Sequence, residues 1–152
     1  MTDFFIESHR TAIDKAYPSC ESVHVELLIY LDGQASLVTD ALELVPSYSQ
    51  DEGQLIVNSR GHKRLANNTF WCLSSENTVS SKDVRHHLSW LISVLAPKKS
   101  ALLNLQRQPG LTMTVNCTWW SKGSGGPTLW PEQMGQLAKL NLECTFDIYC
   151  SD

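Results

Sequence analysis

The chain predicts a domain of the α+β or α/β class: a single mixed sheet of about four main strands, alternating with helices packed on it as a two-layer sandwich. Three observations predict it. Short runs rich in β-branched and large apolar residues alternate with segments whose apolar residues recur at helical spacing. Asp-Gly, Gly and Pro stand at the joints between them. At 152 residues with 42% hydrophobic and 18% charged side chains, the chain suits one domain with its own core.

Each element follows in order. Residues 3–16 carry Phe4, Phe5, Ile6, Ala12, Ile13 and Ala16 among charges and predict an amphipathic helix that Pro18 ends. This defines residues 1–20 as a helical N-terminal extension, with 21–152 as the sandwich domain. Val23 to Leu31 is nearly all apolar, stops at Asp32-Gly33, and predicts a central strand covered on both faces. Ala35 to Leu44 has helical spacing and is closed by Pro46. Residues 47–69 then read as a long polar loop, with Leu55-Ile56-Val57 as a short strand or packed plug. Phe70 to Ser75 is a second main strand.

Asp83 to Leu95 is a helix, with Ser80 or Ser81 as its cap and Val84, Leu88, Leu91, Ile92 and Leu95 on one face. Pro97 breaks or kinks it, and a further helix runs to about Gln108 before Gly110. Leu111 to Trp120 is the third strand. A glycine-rich loop with Gly123, Gly125 and Gly126 follows, and Pro131 opens a helix burying Met134, Leu137 and Leu140. Leu142 to Tyr149 is the fourth strand.

Composition excludes several function classes. A net charge of −4 lacks the basic footprint of a nucleic-acid binder. No apolar run is long enough to span a bilayer, and the start lacks the basic and apolar segments of a secretion signal, so the expectation is a cytoplasmic protein with neither nucleic-acid nor membrane partner. Cys72, Cys117, Cys144 and Cys150 fall in predicted strands without metal-ligand spacing; they read as small buried hydrophobes in a reducing compartment. No metal and no cofactor is expected.

Several of these residues carry a resemblance. Trp71-x-Leu73-Ser74-Ser75, then His87-Leu88-x-Trp90-Leu91, an apolar strand with tryptophan, a Gly-Gly loop, a short helix and the ending Phe146-Asp147-Ile148-Tyr149 resemble the bacterial domain of unknown function 4279. The resemblance covers roughly residues 22–150 and implies a single-domain α/β sandwich of bacterial origin with no settled chemistry. There is one departure. Members tend to have a glycine in the turn after the first helix, before a proline, where this chain reads Leu42-Glu43-Leu44-Val45-Pro46.

Candidate site residues are weighed against plainer roles. Trp119 and Trp120 point to opposite sheet faces. If Trp119 joins Val115 and Cys117 in the core, Trp120 either anchors a partner beside the glycine loop or lies under a helix. Gly125 and Gly126 belong to a loop able to approach an anion, but Lys122 precedes the glycines and the helix opens late, so a simple connection is the better reading. Ser75 ends a strand where a nucleophile can sit, yet no G-x-S-x-G elbow surrounds it. Asp147 is a general base only if buried with a partner; otherwise it is a structural acceptor or edge residue. His86 and His87 diverge on their helix and cannot share a metal. The cluster Arg60-Gly61-His62-Lys63-Arg64 reads as a solvated loop or a contact for an acidic protein surface.

With no catalytic residue or metal set assigned, the leading expectation is a non-enzymatic protein-binding domain of the immunity or antitoxin type. The alternative is a small-molecule-binding or enzymatic domain with a pocket near Trp71, Trp120 and Asp147, where Ser75 and Tyr149 add polar contacts. A structural role in a homo-oligomer is a third reading.

Overall fold

The computed structural model describes residues 9–150. Its frame is a five-stranded mixed sheet, where the sequence predicts about four strands, accompanied by a separate two-stranded ribbon. In chain order the elements are β1 (Cys20–Leu31), α1 (Ser36–Leu42), β2 (Tyr48–Gln50), β3 (Leu55–Val57), β4 (Lys63–Leu65) and β5 (Thr69–Ser74). Then come α2 (Val84–Leu95), a 3₁₀ turn (Ala96–Lys98), α3 (Lys99–Gln106), β6 (Thr112–Ser121), α4 (Pro131–Lys139) and β7 (Glu143–Cys150). The sheet order is β2-β5-β1-β6-β7, with β3 and β4 forming the ribbon. Only the β6–β7 pair is parallel, because the helical crossover of α4 returns the chain in the same direction.

The core occupies one face of the sheet. Val25, Leu27 and Ile29 of β1, Trp71 and Leu73 of β5, and Val115, Cys117 and Trp119 of β6 meet Val38 and Leu42 of α1, Leu88, Leu91 and Leu95 of α2, and Leu102 of α3. Register enforces this alignment: Val25 lies opposite Cys117, Leu27 opposite both Val115 and Leu73, and Ile29 opposite Trp71. Each large aliphatic buried here contributes roughly 1.5–3 kcal/mol before entropy is counted. β1 is central as predicted, but among the described residues it is covered on one face only. His24, Glu26, Leu28 and Tyr30 point to the other. A run of apolar residues misleads here because Leu28 and Tyr30 are apolar yet lie on the uncovered side.

Other boundaries depart from the sequence reading for identifiable reasons. The helix expected over 3–16 falls partly outside the described residues, and 9–16 form turns and irregular chain without helix. The long helix is capped not by Ser80 or Ser81 but by Asp83, whose side chain accepts the Arg85 N–H. Pro97 does break the chain, inserting the 3₁₀ turn between α2 and α3. In α4, Leu137 is buried and Leu140 follows it into the core, whereas Met134 is exposed. The 47–69 segment is not one loop: β2 pairs with β5, and Leu55–Val57 pairs with Lys63–Leu65. Cys72 and Cys117 are buried as expected, whereas Cys144 is half-buried and Cys150 exposed; Cys20 is also buried, and all five thiols are free.

Candidate functional site: the uncovered sheet face

Alternation along each strand sends a second set of side chains to the side that has no helix among the described residues. At one end of that face, Trp120 of β6 and Tyr149 of β7 are register partners, 42% and 45% exposed. Their rings stack with centroids 4.5 Å apart and planes 21° from parallel. At the other end Phe70 of β5 lies between Tyr30 of β1 and Tyr48 of β2, with centroid distances of 5.8 and 5.3 Å. Between the two aromatic groups the face is polar. Asn116 donates its amide N–H to the Asp147 carboxylate at 3.1 Å, and the Cys72 thiol donates to Glu26 at 3.3 Å. Burial, then the neighbouring Glu26 carboxylate, pushes the Cys72 thiol up to about 12, so it stays protonated and unreactive at neutral pH.

The structure therefore brings together three of the candidate residues: Trp120, Asp147 and Tyr149. It does not bring the others to them. Trp71 is fully buried on the opposite, helix-covered face, where its indole N–H donates to the Thr39 hydroxyl at 3.1 Å. A pocket shared by Trp71, Trp120 and Asp147 is consequently not formed; the sheet itself separates them. Asp147 is exposed, and its carboxylate accepts the Asn116 amide as a structural acceptor would.

Ser75 is fully buried as well. Its hydroxyl oxygen accepts the Val25 backbone N–H at 3.0 Å and lies 2.6 Å from His87 Nδ1. His87 Nε2 sits 2.7 Å from the Ser81 carbonyl, which can only accept. Nε2 therefore carries the proton, and Nδ1 receives the Ser75 O–H. Burial is the largest influence on His87 and lowers its pKa, keeping the ring neutral. A serine–histidine pair is thus present, but it is sealed from solvent and works as a clasp between β1, β5 and α2.

Gly125 and Gly126 lie in a loop packed against residues 17–19, before a helix that opens only at Pro131. Gly125 has φ +123°, and a Cβ there would fall 2.8 Å from the side chain of Ser19. The Gly126 carbonyl accepts the Tyr17 hydroxyl at 2.8 Å, and Lys122 N–H donates to Ser19 O at 2.9 Å. The glycines let the loop lie flat against residues 17–19.

Sequence reasoning missed a second cluster, on the helix side. The Asp83 carboxylate accepts three hydrogen bonds from Arg85, at 3.0, 2.9 and 2.7 Å, and one from Asp14 N–H at 2.8 Å. Arg85 also donates to the carbonyls of Thr11 and Ala12. Its guanidinium lies 5.3 Å from the Trp130 ring centroid. Burial works to raise the Asp83 pKa, but the Arg85 and backbone hydrogen bonds outweigh it and hold the carboxyl below its ordinary value. Asp-x-Arg at a helix start was the only sequence signal for this. Beside the cluster, α2, α4 and residues 10–13 enclose a cleft of about 730 Å³ lined by Arg10, Ile13, Ser89, Ile92, Trp130 and Gln136 among others.

The comparison with known families bears on this arrangement. The family model described as a domain of unknown function (DUF4279) matches residues 21–151. The chain belongs to that family. Both aromatic groups of the uncovered face lie within the DUF4279 match, whereas Arg10 to Ile13, one wall of the cleft, lie outside it. Comparison with curated proteins and with solved structures finds no match.

The turn that ends α1 in this DUF4279 domain is built without glycine. Glu43, in the turn between α1 and Pro46, adopts the left-handed conformation (φ 55°, ψ 40°) at the C-cap of α1, its N–H bonded to Thr39 O. This is a backbone conformation that glycine adopts more easily. Among the described residues no helix is long and apolar enough to cross a membrane.

Proposed function

We propose that this DUF4279 domain is a non-enzymatic, cytoplasmic protein-binding module of bacterial origin, acting as an immunity- or antitoxin-type partner, and that it binds through the uncovered sheet face. One observation carries the reading: five aromatic side chains, Tyr30, Tyr48, Phe70, Trp120 and Tyr149, stand in two groups on a sheet face that no described helix covers. Exposed Trp and Tyr held rigid by stacking supply contact area at low entropic cost, and such residues dominate binding energetics. The small size and acidic balance support the immunity-type form. The test is capture from the native host at physiological salt, with the wild type and the Trp120→Ser/Tyr149→Ser double variant in parallel. A stoichiometric protein held by the wild type and released by the variant supports the reading, provided the purified pair reproduces it. A wild type that captures nothing, or a variant that captures equally, overturns it.

A second reading, small-molecule binding, is favoured by the cleft between α2, α4 and residues 10–13. Its size and its apolar floor with a few polar groups suit a metabolite. A thermal-shift screen tests it: a metabolite that stabilises the wild type and loses its effect in Ser93→Trp supports it, and the absence of any such shift contradicts it.

A further inference from the structure

The β3–β4 ribbon stands apart from the core and has a composition unlike the rest of the chain. Leu55 lies opposite Leu65 and Val57 opposite Lys63, so these four side chains share one face. The three aliphatics are 55%, 65% and 53% exposed. From Gly53 to Asn68 the chain carries Arg60, Lys63 and Arg64 and no carboxylate, which leaves nine basic against sixteen acidic side chains elsewhere. A two-stranded ribbon has little stability of its own, and aliphatics held in solvent on one of its faces bury area only when something docks there.

The occupant is decided by charge. An anionic membrane attracts the ribbon but repels the rest of the chain, whose sequence has an excess of seven carboxylates over basic groups. A second copy of this chain presents both halves of the required chemistry. Its uncovered sheet face offers the carboxylates of Glu26, Glu143 and Asp147 beside Leu28, Trp120 and Tyr149. We propose that the protein self-associates, with the apolar, basic β3–β4 ribbon of one copy docking on the acidic, aromatic sheet face of another. In a two-fold dimer this contact is made twice, and both surfaces are covered at once. The inference goes beyond the protein-binding reading: the second copy occupies the same face and competes with any other partner.

Light scattering and sedimentation of the full chain test it across about a hundredfold range of concentration, in low and high salt. The expected result is a monomer–dimer equilibrium that weakens with salt, because oppositely charged exposed surfaces are screened. Lys63→Glu and Glu26→Lys/Asp147→Lys should each be monomeric alone and dimeric when mixed, since the reversed ribbon then meets the reversed face in one contact and the native ribbon meets the native face in the other. Leu55→Ser/Val57→Ser/Leu65→Ser should be monomeric, with an unchanged far-ultraviolet circular dichroism spectrum and melting temperature showing that the core is intact. A monomer at every concentration overturns the proposal, as does a dimer indifferent to the ribbon variants. Co-sedimentation with phosphatidylserine vesicles without dimerisation also overturns it. A monomer that still captures a stoichiometric host protein would overturn self-association alone and leave the protein-binding reading standing.

Discussion

The indole of Trp120 lies against the phenol of Tyr149 with ring centroids 4.5 Å apart, although 29 positions separate them in the chain. Parallel pairing of β6 and β7 produces the contact, since it places the two residues in register on the uncovered face. Trp119, one position earlier, takes the opposite face and is buried in the core. One dipeptide therefore supplies a core anchor and a surface anchor. Trp120→Ala removes a stacked but half-exposed ring, so stability should fall by only about 1 kcal/mol. Binding of the captured partner should weaken by about 2 kcal/mol or more, roughly thirtyfold. Urea denaturation and calorimetric titration separate the two effects.

The buried Asp83–Arg85 pair makes a different kind of prediction. Arg85→Met leaves a buried carboxylate without its cation and should cost about 3–5 kcal/mol in urea denaturation at pH 7. The pH dependence follows from the lowered pKa of Asp83. A carboxyl depressed in the folded state stabilises fully above its unfolded value, and that stability is lost as pH falls below about 4 toward the folded value. Asp83→Asn should lack this component of the acid limb, which unfolding curves at pH 5 and pH 3 would reveal.

His87 acts at higher pH. Its folded pKa is depressed by burial, so the unfolded chain binds the proton more readily. Stability is complete above the ordinary histidine value of about 6.5 and declines as pH falls below it. Ser75→Ala deprives the Val25 N–H and His87 Nδ1 of their shared partner and should cost about 1–3 kcal/mol. Wild-type stability that stayed level between pH 7 and pH 5 would contradict this account of the clasp.

At Glu43 the expected sign is reversed. Glu43→Gly places the residue best suited to φ 55° at the end of α1 and should stabilise the domain by about 0.5–1 kcal/mol. The exposed Glu43–Lys98 contact that it removes, 3.5 Å long, is a surface pair of small worth. Thermal unfolding of the two proteins checks this directly.

The sequence makes the order of the main strands and helices legible because hydrophobic periodicity reports burial within each element. It also separates Trp119 from Trp120 by strict alternation. It cannot show that Trp71 and Trp120 lie on opposite faces, because that depends on the register of β5 against β1 and of β1 against β6. For the same reason the Tyr30–Phe70–Tyr48 group is invisible before three strands are paired. Near-continuous apolarity in β1 suggests two covered faces, but Leu28 and Tyr30 belong to the exposed aromatic surface. Ser75 reads equally well as a turn residue or a nucleophile until His87 and Val25 are seen to enclose it. The Asp83–Arg85 cluster depends on backbone carbonyls of residues 11 and 12, which no side-chain pattern reports.

Oxidative footprinting of Trp120 and Tyr149 tests the central claim most directly. The protein would be labelled free and in complex with its captured partner, at a concentration where light scattering shows the free chain to be monomeric. The account predicts that both rings are labelled in the free protein and protected in the complex. Protection confined to the cleft around Trp130, with Trp120 and Tyr149 labelled as before, would contradict it.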